Sequence, residues 1–110
     1  MALTEIFRGT SKKFKVSITV NGVAPNISQD TVTLTIKNPR TVPDAEALLQ
    51  KDGDVTTDGA NGVALFTLTP SETLIGTGPS VYDIVWHIGS DEQYLLMQDQ
   101  VWVLDRVSDP

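Results

Sequence analysis

The chain of 110 residues predicts an all-β sandwich, and two observations carry that prediction. Three segments repeat large apolar residues with a period of two, against an alternate set that is polar except for Val81 and Val85 in the third. Phe14, Val16, Ile18 and Val20 alternate with Lys13, Lys15, Ser17 and Thr19; Val32, Leu34 and Ile36 with Thr31, Thr33 and Thr35; Tyr82, Ile84, Trp86 and Ile88 with Val81, Asp83, Val85 and His87. Successive side chains of a pleated strand point to opposite faces, so each segment reads as a strand with one face in a core. The second observation is punctuation: Gly, Pro, Asn and Asp cluster between the apolar runs at the spacing of turns.

In order, a first short strand is expected at Leu3–Arg8, broken by Gly9-Thr10-Ser11. The strand Lys12–Val20 follows and ends at Asn21-Gly22, a pair that readily takes the positive φ angles of a tight turn. Val23–Asp30 contains Pro25 and reads as a loop or a poor edge strand. Thr31–Lys37 is rich in β-branched residues and predicts a strand, with a loop through Pro39 and Pro43 after it. Ala45–Lys51 has helix propensity and Asp44 as a possible N-cap, but spans under two helical turns; a strand or short irregular segment is preferred. Turns at 52–54 and 58–62 lead into a strand at Val63–Thr69 with Ala64, Phe66 and Leu68 on one face. Pro70-Ser71-Glu72-Thr73 predicts one helical turn, Gly76–Pro79 a loop, Ser80–Ile88 a strand, and Gly89–Glu92 a hairpin turn into a strand at Gln93–Leu104. About seven strands at regular spacing are expected for an immunoglobulin-like antiparallel sandwich. It is read as one domain over residues 1–110, with flexible ends at 1–5 and 106–110.

The last strand breaks its own alternation. Tyr94–Met97 and Val101–Leu104 are both continuous apolar runs around Gln98, Asp99 and Gln100. A β-bulge near Gln98–Gln100 would change the phase, placing Val101 and Val103 inward and Trp102 outward. The expected core is Phe14, Leu34, Phe66, Tyr82 and Trp86.

Net charge is −6, unevenly distributed: residues 1–40 carry +4 and residues 41–110 carry −10. Solvation of outer faces is the simple reading, and docking of a basic segment on an acidic partner surface the sharper one. The acidic total argues against nonspecific nucleic-acid binding, which needs a basic face. No run of about 18 apolar residues is present to span a membrane, and the polar start MALTEIFRGTSKKF does not read as a signal peptide. The chain has no cysteine, and one histidine, His87, on the strand face opposite Tyr82, Ile84 and Trp86. Neither a zinc ligand set nor a nucleophile–base pair is legible, so the expectation is a chain that is not an enzyme and uses no cofactor. The acidic loop DGDVTTDGAN at 52–61 could gather Ca²⁺ through Asp52, Asp54 and Asp58. Asp, Gly and Asn are also what tight turns require, and turn chemistry is the preferred reading.

The segments RGTSKKFKVSITVNG, DTVTLTIKNP, ALLQKDGDVTTDGANGVALFTLTPSET and YDIVWHIGSDEQYLLMQDQVWVL, in that order, resemble the small immunoglobulin-like domains of tailed-phage and prophage virion proteins. The likeness is greatest to the N-terminal domain of phage baseplate upper proteins and related small head or tail accessory proteins, and covers about Ile6 to Val107. Gly62 to Pro70-Ser71-Glu72-Thr73 and Tyr82-Asp83-Ile84 carry it most specifically. The longer Gly78-Pro79-Ser80-Val81, and Gln98-Asp99-Gln100 where a glycine is common, depart from the family's pattern. The resemblance implies a virion structural or assembly protein, made in the bacterial host cytoplasm and docking on other virion proteins or on copies of itself. The fibre or receptor-binding region that follows in multidomain relatives is not in this sequence, which suggests a stand-alone accessory protein or adaptor. Interface residues expected on this reading are Trp102 as an anchor with Arg8, Lys12 and Lys13 meeting acidic surfaces. The alternative is a carbohydrate- or receptor-binding sandwich with an aromatic platform and Ca²⁺ in the 52–61 loop.

Overall fold

The computed structural model describes residues 4–38, 43–89 and 91–105. Among these residues seven strands form, β1 (Glu5–Phe7), β2 (Lys12–Ser17), β3 (Thr31–Lys37), β4 (Leu49–Asp52), β5 (Val63–Leu68), β6 (Gly78–Ile88) and β7 (Glu92–Leu104). They make a five-stranded sheet in the order β1-β7-β6-β3-β4 and a two-stranded sheet β2-β5. The fold is an all-β sandwich, as the alternation predicts. The β7-β6-β3-β4 series matches the extended sheet of an immunoglobulin variable-type domain. One pairing departs from an antiparallel scheme: β1 runs parallel to β7, with Glu5 opposite Trp102 and Phe7 opposite Leu104.

All five expected core residues are buried, and Ile6, Val16, Ile18, Ile27, Leu68, Val101 and Val103 join them. The two sheets meet through this one apolar layer. Within it Phe14 and Phe66 stack across the β2–β5 pair, ring centroids 4.9 Å apart.

The local signals act as their chemistry requires. Asn21 (φ 52°) and Gly22 (φ 80°) both take the left-handed conformation, and Val20 and Val23 exchange two backbone hydrogen bonds around them, a two-residue hairpin. Residues 45–51 resolve into a 3₁₀ turn at Asp44–Glu46 and then strand β4. After β5, Thr69 and Glu72 form a reciprocal capping box: the Thr69 amide donates to Glu72 Oε1 over 2.8 Å and the Glu72 amide to Thr69 Oγ1 over 3.3 Å. Lys51 Nζ donates to the same Glu72 oxygen over 2.7 Å, tying this turn to β4.

Two expectations need correction or restriction. The bulge lies at Leu96, not at Gln98–Gln100: Ile84 faces Met97 while Val85 faces Leu95, leaving Leu96 as the extra residue. The bulge thus falls inside the continuous apolar run, where Leu96 turns partly into the core, and the polar triplet pairs regularly. Of the ends expected to be flexible, 1–3 and 106–110 lie outside the described residues, as does 39–42 of the proline loop. Glu5 belongs to β1, and the Thr4 carbonyl accepts from the Trp102 amide at 3.0 Å.

Candidate docking face

The outer face of the five-stranded sheet is set by the phase of β6 and β7. With Val101 and Val103 at 0% and 1% exposure, Trp102 between them must point away, and it is 49% exposed. Register places it between Glu5 of β1 and Pro79 of β6. Leu104 lies two residues on, beside Phe7, which is also exposed. Further along β7, Leu95 is exposed opposite half-buried Val85. Large apolar groups therefore stand at both ends of β7 on one face.

A polar row separates them. Asp83 lies between Thr35 of β3 and Gln98 of β7. Thr35, Lys37, Val81, Tyr82, Asp83 and Gln98 line a depression of about 150 Å³. Lys37 Nζ reaches Asp44 at 2.6 Å. Partial burial raises the Asp83 carboxyl above the usual carboxylate range; the Asp44 charge adds to this and Lys37 opposes it. His87 lies on the same face, half-buried, between Thr31 and Gln93.

The expected site residues are not brought together. Lys12 and Lys13 are on β2, in the other sheet; Lys13 points outward, whereas Lys12 is in the inward phase opposite Leu68. Arg8 is half-buried, and its Nε donates to the Ile75 carbonyl over 3.1 Å, tying the end of β1 to the segment after the capping box. Phe7, Leu95 and Asp83 were not among the expected site residues. Phe7 sits in a three-residue strand too short to show a period, and the face taken by Leu95 depends on a bulge that composition does not locate.

The 52–61 loop uses its carboxylates separately. Asp52 Oδ1 accepts from the Thr33 hydroxyl, Asp54 from Thr56 and Thr57, and Asp58 from the Asn61 side-chain amide. Among the described residues no group of three or more His, Cys, Asp or Glu side chains is placed to hold a metal ion. Asp54 and Asp58 bond within the turn, as turn chemistry requires, whereas Asp52 ends β4 and bonds across the sheet to β3.

No family model matches the chain, and no curated protein matches it. Among solved structures it is similar to a lytic polysaccharide monooxygenase of Jonesia denitrificans, studied by neutron crystallography. The identity is 16%, the TM-score 0.51, and the match covers 94% of this chain and 58% of that one. At that identity the likeness shows the fold, not any residue's role, and this chain spans little over half of the neighbour's length. It does correct the expectation that the chain is not an enzyme. The same sandwich, over nearly all of this chain, is found in an enzyme, so a missing catalytic motif is no ground for excluding catalysis.

Proposed function

We propose that this domain is a structural or assembly protein of a tailed-phage or prophage virion, docking on neighbouring virion proteins through the outer face of the five-stranded sheet. The observation that carries the docking reading is Trp102, a large aromatic held half in solvent by a strand whose flanking residues are locked in the core. Such rigid, half-exposed aromatics serve as interface anchors, because little conformational freedom remains to be lost on binding. Phe7 and Leu104 extend the apolar surface beside it. In a repetitive particle one modest contact of this kind is multiplied by symmetry. The virion assignment rests on the sequence resemblance.

The experiment is mass spectrometry of purified particles from an induced host, for the wild-type chain and Trp102→Ala. Wild-type peptides in the particle fraction, and about tenfold fewer from the variant at equal expression, are expected. A chain found only in the soluble lysate overturns the reading.

A second reading uses the same residue. An aromatic on an open sheet face also suits a sugar ring, and the structural neighbour's name is that of a polysaccharide-active protein. Retention on insoluble polysaccharide that Trp102→Ala abolishes would favour it.

A further inference from the structure

We propose that the open edge of β2 accepts an extended acidic segment of another protein as an added strand. Among the described strands β2 pairs with β5 and with no other. The Ile18 amide donates to the Gly62 carbonyl over 2.8 Å, directly beyond the last register pair Ser17–Val63. Bonded and non-bonded pairs alternate in an antiparallel ladder, so Phe14, Val16 and Ile18 turn their peptide groups toward β5. Those of Lys13, Lys15 and Ser17 face away from it, a row of donors and acceptors with no backbone partner among the described residues, along a strand of six residues. The edge is closed upstream where Thr73 Oγ1 donates to the Thr10 carbonyl, and downstream by the Val20–Val23 hairpin.

The chemistry at this edge selects the partner. Lys13 and Lys15 are exposed on the outer face of the small sheet. The one carboxylate in their row, Asp54 beyond Leu65, is held by Thr56 and Thr57 instead. Two copies of β2 paired antiparallel about Lys15 would set Lys15 against Lys15, and like charges directly opposite destabilise a ladder. The same lysines favour a strand with carboxylates at alternate positions, each opposite one ammonium. A depression of about 380 Å³, lined by Lys13, Phe14, Lys15, Leu65, Phe66 and Thr67, lies next to these lysines over the β2–β5 seam, on the side of β2 away from the open edge. Repulsion of its own copy and attraction of an acidic strand together define specificity here. None of this uses Trp102, on the opposite sheet, so this proposal and the docking of the other face can fail independently.

The test is amide hydrogen exchange and NMR titration of the full chain with a capped Glu/Thr alternating peptide of about eight residues, and with its Lys/Thr counterpart. The acidic peptide is expected to slow exchange at the Lys13, Lys15 and Ser17 amides, with binding that weakens as salt is added. Lys13→Glu/Lys15→Glu, both changes at exposed positions, should bind it about tenfold more weakly and gain affinity for the basic peptide. Lys15→Pro, which removes one outward N–H, should abolish protection while the unbound spectrum stays folded. Equal response to both peptides, perturbation confined to residues outside β2, binding unaffected by Lys15→Pro, or no response overturns the proposal.

Discussion

Trp86 Nε1 donates to Asp30 Oδ2 over 3.0 Å, joining the core end of β6 to the turn that launches β3. Trp86 is 7% exposed, so its indole N–H has little access to water. Asp30→Ala removes the acceptor and is expected to destabilise the domain by about 1–3 kcal/mol, the usual consequence of a buried donor left unsatisfied. Denaturant unfolding with an unchanged slope would record it; a midpoint equal to wild type would mean water replaces the carboxylate.

Trp102 and Phe66 should respond to truncation to very different degrees. Trp102→Ala removes a half-exposed ring and is expected to change stability by less than about 1 kcal/mol. Phe66→Ala empties the stacked Phe14–Phe66 pair and should cost about 3–5 kcal/mol. Thermal melts of the two variants are the measurement. Unfolding of Trp102→Ala would mean that the residue supports the β1–β7 pairing and is not held in reserve for a partner.

Asp54 sets an acid dependence. The hydroxyls of Thr57 and Thr56, each at 2.7 Å, and their amides hold its carboxylate and lower its pKa from 3.8 to about 2. Because the folded value is depressed, the contribution is fully present above the unfolded value of 3.8 and is lost as pH falls through about 2. Melting curves should show Asp54→Ala below wild type at neutral pH, with the gap closing across that acid window. A gap that does not vary with pH would assign the effect to the loop's shape and not to the charge.

Asp83 has the reverse sign. Burial, with the Asp44 charge, raises its carboxyl against the opposing pull of Lys37. An ionised Asp83 therefore opposes folding at neutral pH, and this is relieved as pH falls through its raised value toward the unfolded one. Asp83→Asn is expected to melt at a higher temperature than wild type at neutral pH, with the difference shrinking on acidification. A lower melting point would show that the carboxylate supports the fold and that its burial is offset by contacts the amide cannot make.

The division between what sequence determines and what the fold decides follows from range. Alternation is local, so Thr31–Lys37 was legible to the residue, and the inward and outward sets of β6 followed from the same period; the outward position of Trp102 was read from a phase slip whose place the structure moved to Leu96. Turn chemistry is local too, as Asn21-Gly22 illustrates, whereas the Thr69–Glu72 box emerged only from the structure. Tertiary structure alone decided that β1 runs parallel beside β7, that Leu96 is the bulged residue, and that Arg8 is bound to the Ile75 carbonyl. It also put Lys13 and Trp102 on opposite sheets and left β2 with one partner among the described strands. Each of these depends on which distant segment supplies the neighbouring hydrogen bonds, and no residue's own propensity carries that information.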